Sequence, residues 1–445
     1  MSEPIRWHSE HAQEPLALST AVRSPVVLDR QRSTFSPESP LSKRINTQFL
    51  FFDSAEVSNS GISMLFQKKS IWLGLVFVFL SVSVLADPSV VYVSPPTPDS
   101  DAVTDSGTFS VEATVTGVGS MKSLVWQWNG ADYVMYDRTN LVLMMNFDDV
   151  VALGEDAGTV VDLSKYGTDG TLFEGVGFGL GKYGGAFTFD GVDDYVKGSA
   201  SHLPADDRTV SFWFYVTDAG DVNYGMFGYG GSGCGDSFFI FLSTDLKTLN
   251  VHGHCSAGAF EYTAPSSLAG VWHHLTVTTS STERKIYVDG VLGTTAEGAF
   301  PSTYVAGRDY AIGIITGSSF SAGGAGFAPA TFSNIQYFKG KIDELRVYDR
   351  AFSAAEVEQV YNSNLNKYSA TAWTFVAAEQ GLVAGEYTYK VSVTDTDDNA
   401  ANSGQRTITS TYIPAVPEFS VSALLLAVIL STVCSLAVLR TKRGL

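Results

Sequence analysis

The chain of 445 residues is poor in cysteine and in positive charge. Its three cysteines are Cys234, Cys255 and Cys434, and no two stand in a C-x-x-C spacing. That excludes the usual structural zinc site. Twenty-eight Lys and Arg against 46 Asp and Glu leave a net charge of −18. Nucleic acid is excluded as a partner on that ground, because phosphate binding needs a basic surface. No G-x-S-x-G elbow occurs, so a serine hydrolase of that type is excluded. Neither ExDxxE nor ExDxE occurs, so the acidic residues that a glucanase strand aims together into its cleft are missing. The chain therefore reads as non-enzymatic.

What is abundant is glycine (42), phenylalanine (28) and tyrosine (20), with hydrophobic residues at 45%. That mix favours β-structure with many turns. Two apolar runs stand apart from it. In "MLFQKKSIWLGLVFVFLSVSVLADPSV", Lys68 and Lys69 precede an apolar stretch from Ile71 to Val84 and small residues ending at Ala86. This has the layout of a signal peptide over 64–86, which directs the chain beyond Ala86 out of the cytosol. Residues 1–63 have no sustained period and many Ser, Pro and charged residues, and read as a disordered leader or a start-site artefact. Near the other end, 419–439 is an uncharged stretch long enough to span a bilayer, and Arg440, Lys442 and Arg443 come directly after it. The expected localisation is extracytoplasmic, at the cell surface, held through the C-terminus.

Pro417, Glu418 and Phe419, then the apolar stretch, then the basic tip resemble the PEF-type tripartite sorting signal of archaeal surface proteins, over 414–445. The resemblance implies cleavage near Pro417 by archaeosortase and transfer of the new end to an envelope acceptor. The alternative is a plain single-pass anchor.

Between the two runs almost every apolar stretch alternates. "TFSVEATVTG" puts Phe109, Val111, Ala113 and Val115 on one face, and "GEYTYKVSVTD" does so with Tyr387, Tyr389, Val391 and Val393. Asn129-Gly130 marks a hairpin. Residues 87–140 hold about four strands and 367–413 about three, too few apiece to bury a core but enough together for one immunoglobulin-like sandwich. The expectation is thus a single sandwich split by an insertion at 141–366, with two small β modules as the alternative.

Inside the insertion, "FDGVDDYV", "SFWFYV", "WHHLTV" leading to "IYVDG", and "GKIDELRVYDRAFSAAEVEQVY" resemble the laminin-G-like, concanavalin-A-like jelly-roll family in order and spacing. The fold class expected for the whole is all-β, a jelly-roll sandwich inserted in an immunoglobulin-like one. Asp289-Gly290 should close a hairpin, and Ser353 with Glu356 forms a capping box for a short helix. "RTVSFWFYVT" is apolar on both faces, so it is buried on both or offers one aromatic face to a ligand.

Relatives of this fold often hold a structural calcium, a hard ion that takes carboxylate and carbonyl oxygens. The expected ligands are Asp343 with Asp190 or Asp193, and Asp162 is a fallback. Tyr224, Tyr229, Tyr262 and Tyr304, with Phe238, are candidate platforms for stacking on sugar rings, the alternative for each being ordinary packing. Cys234 and Cys255 are candidates for a disulfide, or else two small buried hydrophobes. The function these features imply is a surface-anchored adhesion or carbohydrate-binding protein whose partners are polysaccharide or glycoprotein glycans. The alternatives are a structural envelope component without glycan binding and, below that, a polysaccharide hydrolase.

Overall fold

Period-2 alternation sets the strands. Thr108–Thr116 buries Phe109, Val111, Ala113 and Val115 and turns Thr108, Ser110 and Thr116 outward. Asn129 and Gly130, at φ of 48° and 82°, close the hairpin between Met121–Trp128 and Ala131–Asp137. Asp289 and Gly290, at 51° and 76°, do the same between Glu283–Val288 and Val291–Glu297. Positive φ at both central residues matches the twist of the flanking strands.

The computed structural model describes residues 87–217, 223–231, 236–253, 257–300, 308–316 and 335–414. The leader, the signal segment, Cys234, Cys255, Tyr304, and the tail with Pro417, Glu418, Phe419 and the 419–439 stretch lie outside the described residues. Among the described residues no helix is long and apolar enough to cross a membrane.

Two eight-stranded antiparallel sheets form the central sandwich. The first runs Val291–Glu297, Glu283–Val288, Trp272–Thr279, Arg208–Val216, Lys339–Tyr348, Gly185–Asp190, Gly177–Leu180, and Leu141–Met145 also pairs with Lys339–Tyr348. The second runs Phe260–Thr263, Thr248–His252, Ser237–Leu242, Tyr224–Gly230, Asp309–Ile312, Tyr195–Ser199, Gly170–Phe173, Thr159–Val160. Val210, Phe212, Phe214 and Val216 from the first sheet meet Phe238, Ile240 and Leu242 from the second in one core.

The flanking segments pair with each other. Thr108–Thr116 hydrogen-bonds Ala372–Gln380, in a sheet with Ser89–Tyr92 and Ser363–Ser369. Met121–Trp128 pairs with Gly385–Asp395, in a sheet with Ala131–Asp137, Ala102–Thr104 and Arg406–Ser410. Trp126, Trp373, Phe375 and Tyr389 are fully buried between these sheets. The strand Ser363–Ser369 straddles the domain boundary expected at 366/367.

One strand shows how the two sandwiches join. All five residues of Leu141–Met145 are buried. Val142, Leu143 and Met145 enter the central core, while Leu141 and Met144 enter the flanking one. A strand covered on both faces cannot alternate with polar residues, which is why "LVLMM" does not.

Candidate functional site

The outer faces of the two central sheets differ. On the first, Trp213 stacks on Tyr361 of the helix Ala354–Asn362, with ring centroids 5.5 Å apart. Tyr287 and Tyr348 join Phe352, Val357 and Val360 in the flanking core. The helix starts where the sequence says it should. Ser353 Oγ accepts from the Glu356 N–H, and Glu356 Oε2 accepts from the Ser353 N–H at 2.8 Å. This helix lies over the outer face of the sheet. "RTVSFWFYVT" is therefore buried on both faces, with Trp213 at 3% exposure.

On the second sheet, the layer that packs on the outer face among the described residues is a two-stranded antiparallel sheet, Ile314–Thr316 with Ile335–Tyr337. It lies so close that a Cβ on Gly225 would sit 2.2 Å from the Ile315 nitrogen. Beside these strands the face carries aromatics of unequal exposure: Phe173, Tyr337 and Phe239 are half-buried, while Tyr195 and Phe241 are buried. Phe173 stacks on Tyr195 with centroids 4.7 Å apart and planes 5° from parallel, and Tyr337 packs with them. Across the face, Phe241 meets His252 edge-on at 5.0 Å, with Phe239 alongside.

An acidic loop borders the first of these aromatic groups. Asp190, Asp193 and Asp194 each bring an oxygen within 4.8 Å of the others. Asp194 Oδ2 accepts from the Asp190 N–H at 2.8 Å, and Asp190 Oδ1 accepts from the Val192 N–H at 2.7 Å. Burial pushes the Asp194 carboxyl up, and Asp190, Asp193 and Glu174 push it further. Tyr337 is raised by burial, then by Asp193 and Glu174, which places its ring in the field of the same acids. The donor set fits calcium: hard oxygens, converging, on a turn.

Asp343 is not brought to this loop. Asp190 pairs with Lys339, and four residues further along that strand put Asp343 about 13 Å away at 3.3 Å per residue. The two cannot share one ion. Asp343 is fully buried instead, where its Oδ2 accepts from the Lys182 and Tyr183 N–H groups at 2.8 and 3.1 Å. Asp162 does not serve as a fallback either. Its Oδ1 accepts from the Met144 and Ser164 N–H groups, and its Oδ2 from Ser164 Oγ and from the N–H and Oγ1 of Thr168. Five donors leave it no lone pair aimed at a metal, and its role is to pin the turn "VVDLSKYGTDG".

The aromatic platforms need correction too. Tyr224, Tyr229 and Phe238 belong to the central core at 2%, 1% and 0% exposure. Tyr229 Oη donates to Pro204 O and accepts from Arg208 Nη1, both at 2.8 Å. These rings face inward and cannot stack on a sugar. Tyr262 is half-buried, its ring pressed on Gly293, where a Cβ would come within 2.7 Å. Phe173, Tyr195 and Tyr337 are the aromatics that sequence reasoning missed; the stretch "GTLFEGVGF" and the proximity of Tyr195 to "FDGVDD" were the available signals.

A second buried set ties the two sandwiches together. Glu344 lies on a β-bulge at φ 55°, where the register slips between Ser211 and Trp213. Bulges re-aim side chains. Glu344 accepts from Asn146 Nδ2 at 2.6 Å, Asn364 Nδ2 at 2.7 Å and Arg346 Nη2 at 3.1 Å. Burial pushes Glu344 up to about 8, against the pull of Arg346. Asp148 is raised to about 6, again chiefly by burial.

Residues 190–358 match a laminin-G-type family model described as the concanavalin A-like lectin/glucanases superfamily. The matched residues lie in the central sandwich and the helix that follows it. A rat protein, "Sushi, von Willebrand factor type A, EGF and pentraxin domain-containing protein 1", is 28% identical over 182 residues, 39% of this chain and 5% of the rat protein. The mouse protein of the same name is 26% identical over 171 residues, 37% of this chain and 4% of that protein. The chain thus spans a small fraction of these relatives. Among solved structures, domain 4 of the extracellular GH43 arabinanase AbnA from Geobacillus stearothermophilus, in complex with arabinotriose, is 18% identical at a TM-score of 0.36. It covers 49% of this chain and 96% of that one. The SAP-like pentraxin of Limulus polyphemus is also 18% identical, at a TM-score of 0.32, over 39% of this chain and 80% of its own.

Proposed function

We propose that the chain is an exported, non-catalytic carbohydrate-binding or adhesion protein of the cell surface. Its jelly roll is displayed on a split immunoglobulin-like sandwich, and archaeosortase processes the tail behind Pro417. The observation that carries the binding role is the half-buried pair Phe173 and Tyr337, packed with the buried Tyr195 beside the loop Asp190–Asp194, on the sheet face that the flanking sandwich leaves free. Flat apolar rings next to oxygen-rich polar groups suit a sugar, whose C–H faces stack while its hydroxyls seek acceptors. The lectin/glucanase family match over residues 190–358 supports the same reading. Asp190, Asp193 and Asp194 would hold calcium, which supplies fixed positive charge for hydroxyl oxygens and a rigid loop.

The test is a glycan array with the full-length chain, with calcium and with EDTA, alongside Tyr337→Ala and Phe173→Ala. The reading expects signal on a restricted set of polysaccharides, lost in EDTA and in either variant. No binding to any glycan or envelope extract, or binding that ignores both variants, overturns it. The intact mass of the native protein tests export and processing by locating both ends.

A further inference from the structure

A separate cavity of about 170 Å³ lies where the flanking sandwich meets the turn 161–164, and its walls include Tyr136, Arg138, Asp162, Ser164, Lys367 and Trp373. In a chain of net charge −18 this wall carries two cations. Among the described residues neither Arg138 nor Lys367 forms an ion pair. Arg138 lies beside the Tyr136 hydroxyl, which donates to Leu163 O at 3.2 Å, and Lys367 Nζ lies 5.0 Å from the centre of the Trp373 ring. The Trp373 indole N–H is buried and donates to nothing, in a side chain 1% exposed. A buried donor without an acceptor costs about 1–3 kcal/mol, so such groups ordinarily have a partner. Lys367 is held below its ordinary range by desolvation, with no acid to offset it. The one acid on the wall, Asp162, has its oxygens taken by five internal donors. The wall therefore offers positive charge and a spare indole donor, and its one carboxylate is already saturated.

We infer that this cavity is an oxyanion site, taking a carboxylate or sulfate group through Lys367, Arg138 and the Trp373 N–H. The volume suits one such group with part of the ring that bears it, since a water's share of liquid volume is about 30 Å³. Lys367, Arg138 and Trp373 come from the flanking sandwich, and the turn 161–164 of the central one closes the cavity beside them, so a bound anion would sit at their junction. The site is distinct from the aromatic face and stands independently of the sugar reading there.

The full-length chain labelled with ¹⁵N in its seven tryptophans reports on the site directly. The indole resonance absent from Trp373→Phe identifies the reporter. Sodium sulfate and sodium glucuronate are titrated at constant ionic strength made up with chloride, with glucose as neutral control. The expected result is a saturable shift of that resonance with sulfate, glucuronate or both, and none with glucose. Lys367→Met and Arg138→Gln should each weaken it ten-fold or more at unchanged melting temperature, while Phe173→Ala leaves it intact. A response to sulfate alone assigns a sulfate ester, and to glucuronate alone a sugar carboxylate. A resonance unmoved by both, or moved alike by chloride, or wild-type binding in both cation variants, overturns the site.

Discussion

The two outer faces of the jelly roll are built from the same kind of strand and end in opposite conditions. Trp213, Tyr287 and Tyr348 on one are sealed under the helix and the flanking sandwich. Phe173 and Tyr337 on the other remain half-buried beside acids, and Phe239 half-buried across the face. An aromatic residue on a strand thus says little about binding until its covering is known. Aromatic area under a second layer stabilises the fold; the same area left open is available to a ligand.

Substitution can break that contrast. The largest effect is expected from Trp213→Ala, which opens a cavity under Tyr361 and should cost about 3–5 kcal/mol, measured from urea midpoints at constant m. Next is pH. Glu344 and Asp148 titrate above the ordinary carboxylate range when folded. Folding therefore favours their protonated forms. The stability they confer is complete below their ordinary values of 3.8 and 4.5 and is lost as pH rises to about 6 for Asp148 and about 8 for Glu344. Each ten-fold gain in proton affinity on folding is worth about 1.4 kcal/mol, so wild type should weaken by a few kcal/mol from pH 5 to pH 8.5. Glu344→Gln should flatten the upper half of that curve. Ser353→Ala removes the helix cap on the covered face and should cost about 1 kcal/mol. Tyr337→Ala on the open face should cost less than about 1 kcal/mol of stability yet reduce sugar binding ten-fold or more, measured by calorimetric titration. Equal destabilisation by Trp213→Ala and Tyr337→Ala would erase the distinction between the faces.

Local signals were readable in advance. Asp289-Gly290 carries its own turn geometry, and Ser353 with Glu356 its own cap, because both depend on neighbours within four residues. The jelly-roll order was readable because "FDGVDDYV" marks the turn from Gly185–Asp190 into Tyr195–Ser199 and "KIDELRVY" lies in one strand. The site was less so. Asp190 and Asp343 were expected together, but their separation depends on strand register, which pairs Asp190 with Lys339. Tyr224 and Tyr229 looked available because glycines surround them, yet all seven residues of Tyr224–Gly230 are buried and a bulge shifts their phase. The bulge at Glu344 likewise arises from pairing across the sheet, and no composition announces it.

The pairing of Thr108–Thr116 with Ala372–Gln380 has a mechanical consequence. The chain enters the jelly roll after Ala131–Asp137 and leaves it into Ser363–Ser369, both strands of the flanking framework. Tension applied between Ser89 and Ser410 runs through that framework's hydrogen-bond ladders and bypasses the inserted module. The module hangs beside the load path like a pendant from a closed clasp, so its open face can keep its shape while the clasp bears the pull.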